Sequence, residues 1–377
     1  MSTASPSGDP DNDLDTALGE RYYEGSKDLE EKYTSEIVEA ICGAIKGHFE
    51  QRGGPARRDA HAFDNGCVRA VFRVDADLDS KWCHGVFVPG KEYPAWIRFS
   101  NGNSERRPAW FFDARGMAIK LMGVRGTKLL DDEKHTQDFV LINHPVFFVD
   151  DLKRYRATLV DFLKGSYLDQ YLWSLLRLRP REIWLALRVN LNFAMNPLFQ
   201  QYWSMTPYRL GTDPATKTAV KYTAKPRVHE VPNLLSQQLT RLAWNFSLKE
   251  EMSKTLTGNE TWFDFYIQRY ADQRMTPIED SKVEWKSELL HVAKIIIPVQ
   301  DVTSLAQDRF CENLSFSPWH SLPEHKPLGL VNRVRKIAYH RISKLRHELN
   351  HVPLQEPTGG EVFDPHAKNA LDDSASE

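Results

Sequence analysis

The stretch NRVRKIAYHRISKLRHELN, residues 332–350, places Arg335, Tyr339 and Arg346 at relative positions -4, 0 and +7. On a helix those offsets fall on one face. A guanidinium one turn before a phenol is placed to stabilise a phenolate, which suits a tyrosinate ligand to ferric iron. The same spacing also arises on solvated helices whose arginines and aromatics merely pair at the surface. The rest of the chain has to decide between the two.

Four further segments matter. RRDAHAFDNG (57–66) sets Arg58 three residues before His61 at the entrance to an expected strand. WIRFSN (96–101) puts Arg98 and Ser100 on one strand face, because side chains alternate with period two. DARGMAIKL (113–121) turns through Asp113, Arg115 and Gly116 into another strand, and DFVLINHPVFF (138–148) places Asn143 just before a proline and two phenylalanines.

In this order the five segments resemble the haem catalase family over residues 55–350. The resemblance is closest to its smaller members, which include haem peroxidases and allene-oxide-synthase-like enzymes. It extends to AVKY (219–222), FDFYIQ (263–268) and ENLSFSPWHSLPEHKPLG (312–329). It implies an α+β fold: an antiparallel β-barrel with surrounding helices, with haem b (iron protoporphyrin IX) buried between the barrel and the C-terminal proximal helix. By the same resemblance Tyr339 is the iron ligand and Arg335 its partner. His61 is the distal acid/base, Asn143 its distal partner, and Ser100 the serine that orients the histidine. Arg58, Arg98 and Arg346 match arginines that hold the haem propionates or stand beside the proximal tyrosine, and Phe147 and Phe148 pack near the haem.

These residue types suit peroxide chemistry. A distal base accepts the proton of a hydroperoxide while an amide donor steadies the departing oxygen, and guanidinium forks bind propionate carboxylates bidentately. The expected function is a haem-dependent peroxidase acting on hydrogen peroxide or organic hydroperoxides with an unidentified reductant. Alternatives are a fatty-acid hydroperoxide isomerase or lyase, a true catalase, or a non-enzymatic haem sensor or carrier. Two departures bear on the choice. The usual four-residue H-A-[KR]-G run is here the longer His61-Ala62-Phe63-Asp64-Asn65-Gly66. Ala60 stands where the allene oxide synthase branch has a threonine that hydrogen-bonds the histidine.

The domain is expected to span 26–352, between a disordered acidic tail (1–25) and a polar one (353–377). A helix over 28–51, with Tyr33, Ile37, Ala40, Ile41, Ile45 and Phe49 at helical spacing, ends at Gly53-Gly54-Pro55. Strands are expected in CVRAVFRV, WCHGVFV, AWIRFS, MAIKLMGV and DFVLINHPVFF, and again in AVKYTAKP, WFDFYIQRYA and AKIIIPVQ. Between them, 151–210 reads as an aromatic-rich helical insertion. Within it Arg181, Arg188 and Asn192 form a narrow polar stripe, while Ile183, Trp184, Leu187, Leu191 and Ala194 pack on the barrel or face lipid or a partner.

A net charge of -2 and a pI near 6.7 offer no field to recruit nucleic acid. The opening MSTASPSGDPDNDLDTALGE has neither a basic start nor an apolar run, so no signal peptide is expected. With no apolar stretch long enough to span a bilayer, the expected location is cytoplasmic. Peripheral membrane contact through 181–199 and oligomerisation stay open. Cys42, Cys67, Cys83 and Cys311 form no C-x-x-C pair and read as reduced, mostly buried thiols. His320 and His325 read as structural anchors, not metal ligands.

Overall fold

The computed structural model describes residues 14–58, 60–102, 113–164, 179–190, 196–227 and 247–363. Nine antiparallel strands form one sheet: β1 Asp64–Val74, β2 Glu92–Asn101, β3 Arg115–Met122, β4 Thr136–Ile142, β5 Tyr202–Trp203, β6 Tyr208–Leu210, β7 Thr218–Pro226, β8 Thr261–Arg269 and β9 Leu289–Ile297. β1 pairs with both β2 and β9, and β5 pairs with both β4 and β7. The sheet therefore closes into an eight-stranded barrel, with β6 added beside β5 along β7.

The barrel is filled. Phe72, Phe139, Tyr222 and Phe265 interlock at its centre, with Phe139–Tyr222 ring centroids 4.8 Å apart and Phe72–Phe265 5.1 Å. An eight-stranded barrel has just enough interior for its own side chains, so any large ligand has to sit outside the wall. Alternation then decides which residues meet it. Ile97 and Phe99 of β2 join the interior cluster, which turns Arg98 and Ser100 outward.

Among the described residues six helices surround the barrel: α1 Lys27–Arg52, α2 Leu152–Lys164, α3 Pro180–Asn190, α4 Leu248–Gly258, α5 Leu305–Asn313 and α6 Leu330–Leu349. Ser26 caps α1 by accepting a hydrogen bond from the Leu29 amide. Ile37, Ile41 and Ile45 bury the expected stripe of α1 against Leu152 of α2 and Leu330 and Leu345 of α6. That second core fixes α6 beside the barrel. At the other end of α6, buried Arg333 bonds Glu20, Glu30 and Glu279.

The strands expected in AVKYTAKP, WFDFYIQRYA and AKIIIPVQ correspond to β7, β8 and β9, but several expectations are corrected. WCHGVFV is a turn, not a strand: Gly85 adopts φ 54, and the Val86 amide donates to His325 Nε2 instead of to a ladder. The segment 151–210 is not wholly helical, since it contains β5 and β6. On α3, Glu182 and Leu185 are buried, while Trp184 and Leu187 are 55% and 43% exposed. Glu182 ties the helix down through Arg154. Trp173, Leu191, Asn192, Phe193 and Ala194 lie outside the described residues.

The tail boundaries also shift. Leu18 and Glu20 are buried, and Phe363 packs on Phe310 while Glu361 accepts from the Trp96 indole. The expectation of four reduced thiols fails: Cys67 of β1 and Cys311 of α5 form a disulfide with Cα atoms 6.0 Å apart, while Cys42 and Cys83 stay as thiols. A separation of 244 residues hides such a pair from any spacing rule. No described helix is long and apolar enough to cross a membrane.

Candidate active site

α6 supplies one side of the site. One helical turn brings Arg335 onto Tyr339, and Arg335 Nη2 donates to the phenol oxygen at 3.1 Å. The guanidinium is itself aimed by Asn332 Oδ1, which accepts from Nη1 at 3.2 Å; Thr206 Oγ1 in turn donates to that Oδ1 at 3.0 Å. Tyr339 and Tyr208 hold Arg335 above the usual guanidinium range, against the opposing cost of burial.

A second part of the site is built on the ends of β1 to β4. His61 stands just before β1 with φ 58, a left-handed conformation unusual for a non-glycine residue, and its amide donates to the Gly102 carbonyl. Its Nδ1 lies 3.0 Å from Ser100 Oγ. The longer run contains a bulge: the β1–β2 register shifts between Asp64 and Gly66, and Asn65 Nδ2 reaches Asn101 Oδ1 at 2.7 Å. Gly116, opposite Ser100 on β3, leaves the room this pair needs. A Cβ there would lie 2.6 Å from Ser100 Oγ and 2.7 Å from His61 Nδ1.

Burial lowers the His61 imidazole to a pKa of about 4, reinforced by Arg98, Arg335, Arg58 and Arg115. The ring is therefore neutral at ordinary pH. Arg335, the partner of Tyr339, is thus close enough to act on His61. Asn143 follows β4, and its Oδ1 accepts from the Arg115 amide at 2.7 Å. That bond fixes which end of the amide is the acceptor and orients Nδ2 as donor on the other end. Phe147 packs with Ala114, Ile142 and Met205 beside this turn, while Phe148 stacks on Phe147 at 4.9 Å and turns toward Tyr155 of α2.

Arg58, Arg98 and Arg346 converge on an acid that the sequence reading passed over. Glu312 Oε1 lies 2.9 Å from Arg58 and 3.5 Å from Arg346, and Oε2 lies 3.5 Å from Arg98. Arg58 and Arg346 also donate to the Leu314 carbonyl. Three guanidiniums face one carboxylate, an excess of two positive charges. Burial, with Arg58 next, lowers Arg98 to about 10 and takes Arg346 well below its usual value. Although burial opposes it, the arginines hold Glu312 below the ordinary carboxylate range. Glu312 opens the quoted ENLSFSPWHSLPEHKPLG run, so its position was marked in the sequence, but its role was not. Gly116 and Asn332 likewise gave no signal beyond lying in or beside quoted segments.

One other charged cluster has metal-like spacing among the described residues: Glu133, Asp138 and His320. Its cation is already present, because the buried Lys120 ammonium pairs with both carboxylates. His320 Nδ1 lies 2.9 Å from Asp138 and Nε2 3.1 Å from Asp132. His325 accepts from the Val86 amide and pairs with the Tyr222 hydroxyl. Both histidines anchor structure.

No protein-family model and no curated protein sequence matches the chain. Solved structures do. A fungal catalase matches with TM-score 0.58 and 18% identity over 84% of this chain and 65% of that one. Catalase A from Saccharomyces cerevisiae matches with TM-score 0.56 and 17% identity over 85% and 67%. A bacterial catalase matches with TM-score 0.54 and 16% identity over 86% and 66%. The chain has the catalase fold and spans about two thirds of the length of these proteins.

Proposed function

We propose that this chain is a haem-dependent peroxidase that reduces hydrogen peroxide or organic hydroperoxides. The observation that carries the reading is the pairing of Tyr339 with Arg335 and, within the field of that same arginine, a neutral His61 held by Ser100. The residues fit haem b on charge: the arginine cradle carries an excess of two positive charges, and haem b carries two propionates. Tyr339 would hold the iron, with Arg335 favouring its phenolate, and Arg58, Arg98 and Arg346 would hold the propionates. When bound, haem supplies the redox chemistry that splits a peroxide O–O bond.

The chain's own residues handle the proton. With Nδ1–H donated to Ser100 Oγ, the lone pair of neutral His61 lies on Nε2, ready to accept the hydroperoxide proton and return it to the leaving oxygen. The Asn143 amide, locked by the Arg115 N–H, steadies that oxygen. The test is reconstitution with haem, followed by oxygen release from hydrogen peroxide measured beside oxidation of a phenolic donor. Tyr339→Phe should abolish stable loading or shift the haem spectrum strongly; an unchanged spectrum and activity would sink the assignment.

A second reading, turnover of long-chain hydroperoxides, draws on α3. Its exposed Trp184 and Leu187 lie on the same helix as Arg188, whose charge acts on His144 next to Asn143. On that reading kcat/KM rises from hydrogen peroxide through cumene hydroperoxide to a fatty-acid hydroperoxide, and Trp184→Ala flattens the trend. A flat series in the parent removes it. Product analysis with the fatty-acid hydroperoxide separates reduction from isomerisation.

A further inference from the structure

Arginines that carry a charge in a buried site repel one another, and three of them have no reason to gather unless an anion collects them. In this chain that anion is Glu312. Among the described residues it is the one acid in ion-pair contact with Arg58, Arg98 and Arg346 together. These arginines come from distant places in the chain: the segment before β1, the outer face of β2, and the last turn of α6. Nothing local in the sequence holds them together.

The placement of Glu312 is itself firm. It stands one residue before the end of α5, and its neighbour Cys311 is bridged to Cys67. Cys67 lies opposite Arg98 in the β1–β2 register. Gln307, one turn earlier on α5, donates to the Cys67 carbonyl at 2.7 Å. The backbone just beyond takes part as well: the Glu312 and Leu314 carbonyls accept from Arg58 and Arg346. The carboxylate is thus carried on a helix end pinned to the barrel wall beside the arginines it collects.

We propose that Glu312 is the positioning residue of the arginine cradle: it gathers Arg58, Arg98 and Arg346 and leaves two uncompensated charges, matched to a ligand with two carboxylates. The proposal rests on the haem reading and goes beyond it, because it explains why the arginines stay aimed at one place before any ligand arrives. One acid against three bases sets the charge; the fixed helix end sets the geometry. Without the carboxylate the guanidiniums separate or turn toward water, and the bidentate contacts to two propionates are lost.

The experiment compares binding of haem b with binding of its dimethyl ester, which has the same ring and iron but no propionate charge. Each is titrated into apo-protein and followed by its Soret absorbance in the parent, Glu312→Gln and Glu312→Asp. The parent should favour the diacid. Glu312→Gln should lower the ratio of diacid to ester affinity about tenfold, the scale of one charge-assisted contact, while ester affinity changes little. Glu312→Asp, one methylene shorter, should fall between the two and keeps the test alive if the glutamine variant does not fold. Removing the carboxylate also leaves a third positive charge to attract a diacid, so a ratio in Glu312→Gln equal to or above the parent's, or in Glu312→Asp where only that variant folds, means that charge and not positioning governs the cradle and overturns the role of Glu312 alone. A parent that binds neither porphyrin overturns the haem reading and this proposal with it.

Discussion

Gly116→Ala places one methyl group where the distal pair has no room. The new Cβ would lie 2.6 Å from Ser100 Oγ and 2.7 Å and 2.8 Å from two atoms of the His61 ring, whereas ordinary contact begins near 3.4 Å. β3 cannot retreat, because Gly116 is paired with Ser100 on β2 and Ile142 on β4. Nor can the His61 backbone yield easily: its amide is bonded to the Gly102 carbonyl and its φ is already left-handed. The imidazole must therefore move by roughly 0.7 Å and open its bond to Ser100, and a misplacement of about 1 Å can cost about 10²-fold in rate. We expect kcat/KM for hydrogen peroxide to fall about 10- to 100-fold, which is about 1.4–2.7 kcal/mol of transition-state stabilisation. Overpacking should cost about 1–3 kcal/mol of stability. Haem loading and the Soret band should stay as in the parent, because Gly116 touches neither Tyr339 nor the arginine cradle. The assay is stopped-flow peroxide consumption by haem-loaded protein, with a phenolic donor present. A variant within about twofold of the parent would refute the claim that Gly116 sets the His61–Ser100 geometry.

Further outcomes follow from other groups. His61 has its pKa lowered from 6.5 to about 4, so it stays unprotonated as the pH falls to that value, and the acid limb it imposes on kcat/KM should lie near pH 4. An acid limb at the ordinary histidine value would contradict this. The same depression costs stability: below pH 6.5 the unfolded chain takes up a proton that the folded His61 refuses, so stability falls between pH 6.5 and 4, and His61→Ala should weaken that fall in urea titrations. Lys120→Met removes the ammonium from buried Glu133 and Asp138 and leaves both carboxylates to share His320, whose pKa is raised to about 9, and it should cost about 3–5 kcal/mol in denaturant unfolding; a loss under about 1 kcal/mol would mean the cluster relaxes by protonation. Alkylation of the unfolded protein without reductant should label only Cys42 and Cys83, and breaking the Cys67–Cys311 link should cost about 2–4 kcal/mol. Four labelled thiols would remove the disulfide from the account.

Much of the site was legible along the chain because its parts are local patterns. The offset of four residues between Arg335 and Tyr339 is a helical turn, and the alternation of Arg98 with Ser100 is a strand; both periods are properties of the backbone that survive any tertiary arrangement. The order of the quoted segments likewise pointed to the catalase-like barrel now seen, and His61, Ser100 and Asn143 are indeed brought to neighbouring strand ends. The stripe of α1 was equally readable, since Ile37, Ile41 and Ile45 recur at helical spacing.

What only the tertiary structure decided concerns groups whose meaning lies in a partner far away in sequence. Glu312 is an ordinary acid until three arginines from different elements close on it. Cys67 and Cys311, 244 residues apart, become a pair only when α5 lies on β1. WCHGVFV has the composition of a strand, yet its Val86 amide goes to His325, 239 residues away. Along the chain Trp184 and Leu187 could either pack on the barrel or form an outer surface; Glu182, tied to Arg154 and Lys282, turns α3 so that they face outward. In each case local propensity is worth a few tenths of a kcal/mol per residue, whereas a buried ion pair or hydrogen bond left unmade costs about 1–3 kcal/mol or more, so the distant partner wins.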